Sequence, residues 1–190
     1  MIIEGLLTSI AADGSPHVAP MGPVVDPELK QWVLRPFQSS TTFGNLRRTN
    51  SAVFHVVDDV LPIVQAALNY EHQLQFQRLE DGNWAIASAC HWYQLHLDQW
   101  NTDRDRAEVS ANVIRCEVLR PFWGWNRAKH AVLEATILAT RVHMTGKDVI
   151  VAELEKMNSA VNKTAGPREL KAWQLIHDYL DNWKTDRNDD

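Results

Sequence analysis

One hundred and ninety residues, 45% hydrophobic and 23% charged, describe an ordinary globular chain able to bury about 70% of its unfolded surface. That length predicts one compact domain, or one and a half. A formal net charge of −5 argues against a phosphate-backbone binder, which needs a clustered excess of Lys and Arg, so no nucleic-acid partner is expected.

The two cysteines, Cys90 and Cys116, have no Cys-x-x-Cys spacing, which excludes a disulfide framework and a cysteine-rich zinc site. Reduced thiols in a cytoplasmic protein are the simpler reading. Met1-Ile2-Ile3-Glu4-Gly5 lacks the basic and long apolar regions of a signal peptide, and the most apolar runs are too short to span a bilayer, so no membrane partner is expected.

From Ile2 to Val57 short apolar runs alternate with turn signals, the pattern of hairpin-connected strands. Ile2 to Ile10 reads as a strand, Asp13-Gly14 as a tight turn, and His17 to Val25 as the returning strand. Pro16, Pro20 and Pro23 punctuate that return, and proline cannot donate to a ladder, so it must be an edge, a bulge or a rim. Trp32 to Phe37 is a third strand. The hydroxyl run Ser39-Ser40-Thr41-Thr42 then opens a short helix on a Ser or Thr cap, and Ala52 to Val57 resumes as a strand.

Val60 to Leu68 reads as helix, Gln73 to Leu79 and Trp84 to Leu97 as strands around the hairpin signal Asp81-Gly82-Asn83, and Glu108 to Leu119 as a last strand. About seven strands suffice to close a small barrel. Beyond Pro121 the period becomes helical. One helix runs behind Asn126 and stops at Gly146, a second follows Thr145-x-x-Asp148, and a third opens at Gly166-Pro167. The expected class is α+β, mainly β: a barrel over 1–120, a three-helix segment over 121–184, and a frayed tail over 185–190.

No dinucleotide fingerprint, Walker loop, nucleophile elbow or zinc-protease motif is present. What remains is the hydroxyl run at a helix start, with Arg35 before it and Arg47 and Arg48 one turn later. Helix amides, hydroxyls and guanidinium groups are the parts that hold a phosphate. Taken alone, the run fits a capped helix between strands better than a phosphate clamp.

Read in order, His17-Val18-Ala19-Pro20-Met21-Gly22, Leu34-Arg35-Pro36-Phe37, Ser39 to Thr42, Asn45-Leu46 and Phe54-His55-Val56-Val57-Asp58-Asp59 resemble the split-barrel FMN-binding proteins. More narrowly, with Asn126-Arg127-Ala128, Glu134-Ala135 and Ala139-Thr140-Arg141, they resemble the domain-of-unknown-function 447 family. The resemblance implies an FMN-binding split β-barrel that forms a homodimer with FMN at the subunit boundary. Ser39, Ser40, Thr41 and Thr42, with Arg35, would hold the phosphate, and the ring would lie along His17, Ala19, Pro20, Met21 and Gly22. His55 and Arg127 complete the implied cofactor-binding set, although related barrels often carry Asn at the position of His55. A cation at a helix start opposes the local dipole, which makes Arg127 an anion or partner contact.

Two other groups of residues bear on function. If Trp84 to Leu97 is one regular strand, Cys90 and His96 share a face that His72 could join, but polar side chains on a barrel wall are more often hydrogen-bonded or solvent-facing, and no metal is expected. Trp92, Trp100, Trp123 and Trp125 bracket the last strand and suit core or interface packing before a cofactor wall. Two functional readings follow. One is a flavin-dependent oxidoreductase or flavin reductase-like protein that exchanges a hydride with a small-molecule substrate or a nicotinamide. The other is a non-catalytic binder of FMN, a related flavin or a deazaflavin.

Overall fold

The computed structural model describes residues 1–183, so the tail expected to fray over 185–190 lies outside the described residues. Two compact units are present. The first contains Met1–Asp58 and Gln73–Trp123, the second Asp59–His72 and the chain from Gly124 onward.

In the first unit the strands are β1 (Gly5–Ile10), β2 (Pro16–Met21), β3 (Val24–Val25), β4 (Gln31–Leu34), β5 (Ser51–Val56), β6 (Phe76–Arg78), β7 (Trp84–Ile86), β8 (His91–Asn101) and β9 (Glu108–Val118). The helix α1 (Thr41–Thr49) lies between β4 and β5 in sequence. Seven strands form one antiparallel sheet in the order β2-β1-β5-β8-β9-β4-β3, and β6 pairs with β7 alone.

The β1–β2 hairpin closes as its sequence demands. Gly14 takes φ +84°, and the Asp13 carboxylate accepts from the Ser15 amide at 3.0 Å and the Ser15 hydroxyl at 2.6 Å. β2 is an edge strand, the place its prolines require. The expected continuous strand His17 to Val25 is in fact two. Gly22-Pro23 interrupts the ladder, and β3 continues at the opposite edge of the sheet. That edge is met by the N-terminus: the Val25 amide donates to the Met1 carbonyl at 2.8 Å, and the Ile3 amide to the Pro23 carbonyl at 3.3 Å. The sheet thus curls until the chain ahead of β1 reaches its far edge, giving the split barrel.

The strand expected over Trp84 to Leu97 also divides. A turn in which the Ala89 amide donates to the Ile86 carbonyl at 3.2 Å separates β7, committed to β6, from β8 in the main sheet. The interior is filled by Leu7, Trp32, Leu34, Leu46, Phe54, Leu95 and Val109, all fully buried. Trp32 meets Phe54 edge-on at 5.0 Å and donates its indole N–H to the Leu29 carbonyl at 3.1 Å. Gly5 is required by space, since a Cβ there would stand 2.3 Å from the His55 carbonyl oxygen.

The second unit holds α2 (Leu61–Ala67), α3 (Arg127–Ala139), α4 (Val142–Thr145), α5 (Lys147–Thr164) and α6 (Pro167–Asn182). A division at residue 120 would leave α2 with the strands, whereas Asp59–His72 group with the later helices. The reason is hydrophobic: Val60, Leu61, Val64 and Leu68 share one core with Ala131, Val132, Ala135, Ile150, Leu154, Ile176 and Leu180. Asn126 caps α3 as expected, accepting from the Lys129 amide at 3.0 Å and donating to the Thr164 carbonyl at 3.0 Å. That helix ends at Ala139 rather than near Gly146, and α4 stands apart. Thr145 does not cap α5; Gly146, at φ +87°, turns the chain there and no side chain caps that helix.

Candidate functional site

The edge strand β2, the segment after β4 and the start of α1 converge on a cavity of about 330 Å³. Ala19, Pro20, Met21 and Gly22 form one wall, Arg35, Pro36 and Phe37 another, and Ser40 and Thr42 the end. Ile2 and Arg106 complete the lining.

Each wall has a local cause. An edge strand carries backbone groups that no ladder uses, so β2 offers unpaired polar backbone beside an apolar surface of Ala19, Pro20 and Met21. The α1 end begins at Ser40, whose extended backbone (φ −82°, ψ 149°) and hydroxyl make the N-cap. That hydroxyl accepts from the Phe43 amide at 3.1 Å and donates to the Phe37 carbonyl at 2.7 Å. The next two amides, Thr41 and Thr42, head the helix where no earlier turn supplies an acceptor. Thr42 is buried, and its hydroxyl lies 3.1 Å from Nε2 of His17. Burial holds the His17 imidazole below its ordinary pKa, which favours the neutral ring at physiological pH.

The cavity therefore joins seven of the residues expected at the site: Ala19, Pro20, Met21, Gly22, Arg35, Ser40 and Thr42. His17 stands behind them through Thr42. Ser39 and Thr41 are exposed and do not line it, although the Thr41 amide heads the helix. Gly22 lines the cavity, but the direction of its missing Cβ is taken by the Glu4 carboxylate, 2.7 Å from where that atom would sit.

Two expected residues are not among its lining. His55 is fully buried in β5, with Nδ1 3.2 Å from the Leu6 carbonyl and Nε2 accepting from the Ile86 amide at 3.0 Å. Both nitrogens serve the sheet, and desolvation lowers the pKa to about 3. Arg127 occupies the exposed first turn of α3, in the helical unit. Arg47 and Arg48 fall at the far end of α1, where Arg47 stacks on Trp100 at 4.9 Å and Arg48 donates to the Ile10 carbonyl.

The metal geometry considered from sequence does not form. Cys90 is buried in the turn ahead of β8, while the His96 side chain is 56% exposed, so the shared face disappears with the continuous strand. Among the described residues no group of three or more His, Cys, Asp or Glu side chains could hold a metal ion. The tryptophans likewise do not act together: Trp92 is core, and Trp123 is exposed. Among the described residues no helix is long and apolar enough to cross a membrane.

Sequence reasoning missed Ile2, Pro36, Phe37 and Arg106. Arg106 lies in an unpatterned loop of alternating Asp and Arg, and only the pairing of Phe37 with Arg106 brings it to the cavity.

Among solved structures, the chain is similar to an FMN-bound protein of the DUF447 family from Methanosarcina mazei, at 22% identity over 94% of each chain and a TM-score of 0.81. The styrene monooxygenase flavin reductase of Pseudomonas putida S12 matches 62% of this chain and 80% of its own at 13% identity, with a TM-score of 0.52. An FMN-binding protein from Thermus thermophilus with bound p-hydroxybenzaldehyde matches 61% of this chain and 71% of its own at 11% identity, also with a TM-score of 0.52. At these identities the likeness establishes the fold. No curated protein matches the chain in sequence. The N-terminal domain of the protein of unknown function DUF447 matches residues 3–120 and its C-terminal domain residues 126–178, so the chain belongs to the DUF447 family.

Proposed function

We propose that this cavity binds FMN, with the phosphate at the head of α1 and the ring along β2. The observation that carries the reading is the joining of an apolar edge strand, the first turn of α1 at Ser40 and Thr42, and an arginine in one cavity of about 330 Å³, within the usual size range of ligand sites. The amides of Thr41 and Thr42, the Thr42 hydroxyl and Arg35 suit a doubly charged phosphate, since helix N-termini and guanidinium groups both favour anions. Along β2 the free backbone groups would orient the polar edge of the ring, while Pro20 and Met21 exclude water from its face. The DUF447 relative from Methanosarcina mazei, bound to FMN, supports the same ligand here.

FMN supplies hydride transfer when bound. The described residues that line the cavity include no carboxylic acid, cysteine or histidine. The chain therefore binds and orients, and His17 can hold a proton only through Thr42. We propose a flavin-dependent oxidoreductase with a nicotinamide or another small molecule as its reaction partner. The same bare lining favours a second reading, a flavin carrier without turnover. Mixing the FMN-loaded protein with NADH under anaerobic conditions tests the nicotinamide form of the first reading: rapid bleaching of the visible flavin band supports it, and an unchanged band counts against a nicotinamide partner.

Within the site, Thr42→Val should weaken FMN binding about tenfold in a fluorescence titration, the loss of one charge-assisted hydrogen bond worth about 1.5 kcal/mol. Riboflavin affinity should not change. Equal weakening of both flavins would place Thr42 in the fold rather than at the phosphate.

A further inference from the structure

We propose that Arg106, contributed by the loop before β9, is the residue that selects phosphorylated flavin, and that Arg35 plays the lesser part. The inference rests on the FMN reading of the cavity above.

Both arginines line the cavity, but their charges are differently placed. Arg35 is paired, its Nη2 standing 3.2 Å from Oε1 of Glu108, so part of its charge is already answered by the protein. Arg106 has no ion-pair partner among the described residues. Its guanidinium lies over the Phe37 ring at 4.2 Å, and both groups face the same cavity. A cation resting on an aromatic face keeps all its N–H donors for another acceptor, and the ring fixes the guanidinium plane without neutralising it.

The loop that carries Arg106 is held by construction. Gln38 donates its side-chain amide to the carbonyls of Thr102 and Arg104, both at 2.8 Å, and its backbone amide to the Asp105 carbonyl at 2.9 Å. The Ala107 amide donates to the Pro36 carbonyl at 3.0 Å. Three carbonyls of an otherwise exposed loop are thus turned onto one residue, Gln38, and the backbone on both sides of Arg106 is fixed against the Pro36–Gln38 segment. Such fixation lowers the entropy lost when the arginine engages an anion. Arg106 stands on the same cavity as the start of α1, so its fork and the amides of Thr41 and Thr42 would approach one phosphate together.

The test is a fluorescence titration of FMN and riboflavin against the wild type, Arg106→Gln, Arg106→Lys and Arg35→Gln, with melting temperatures alongside. Arg106→Gln should weaken FMN at least tenfold and leave riboflavin within twofold. Arg106→Lys should recover part of the loss, and Arg35→Gln should cost less than Arg106→Gln. Unchanged FMN affinity in a folded Arg106→Gln variant would overturn the assignment while leaving the FMN reading intact. Equal weakening of both flavins would overturn it too, by showing a structural role. A wild type that binds neither flavin would remove both the assignment and the reading beneath it.

Discussion

His55 is fully buried in β5 and ties two neighbouring segments of the barrel together. Its Nδ1–H serves the Leu6 carbonyl, and its Nε2 accepts from the Ile86 amide, so the buried ring is held neutral with a pKa of about 3. The unfolded ring titrates near 6.5, and between those values the unfolded chain binds more protons than the folded one. Stability is therefore present above pH 6.5 and is lost as the pH falls toward 3. From pH 7 to 4.5 the loss from this group is about 3 kcal/mol, at 1.36 kcal/mol per unit. Urea unfolding at the two pH values should show it, and His55→Asn should flatten the dependence in that window. An unchanged slope in His55→Asn would assign the acid sensitivity to other groups. Nothing in Ala52 to Val57 marks His55 as a strut; its partners, Leu6 and Ile86, are 49 and 31 positions away.

The start of α1 was legible as an element because capping chemistry is local. Four hydroxyl residues ahead of an apolar pattern fix a helix start within one or two positions, and Ser40 is the cap found. What the hydroxyls do individually was not legible. Ser40 spends its oxygen on Phe43 and its proton on Phe37, which makes it a structural cap that also borders the cavity. Ser40→Ala should cost about 1 kcal/mol and lower the melting temperature by roughly 2–4 °C, with FMN and riboflavin affected alike. A selective loss of FMN at an unchanged melting temperature would make Ser40 a phosphate ligand instead. The strands divide along the same line. The prolines of β2 announced an edge, but only pairing across the sheet shows that β3, two residues later, belongs to the other edge. Likewise the apolar run from Trp84 to Leu97 carries no sign that β7 pairs away from β8.

At the scale of the whole molecule, the barrel and the helical unit each have a core, and the change from strand to helical periodicity beyond Pro121 predicts both. Arg106 was out of reach because it enters the cavity through a long-range bridge to Phe37, not through any local pattern. The first unit leaves Ile114, Val118 and Trp123 exposed, at 58%, 66% and 85%. We propose that a second copy of the chain covers these side chains, since large apolar groups left in water favour an interface and two-fold dimers are the commonest closed assembly. Light scattering should then give twice the 21.7 kDa chain mass, whereas a monomer at micromolar concentration would leave those side chains without an occupant. The central claim, a flavin site built around a phosphate, is tested most directly by the ratio of FMN to riboflavin affinity in the wild-type protein. Two or more charge-assisted bonds to the phosphate predict FMN bound about a hundredfold more tightly, at one FMN per chain; equal affinities for the two flavins would contradict it.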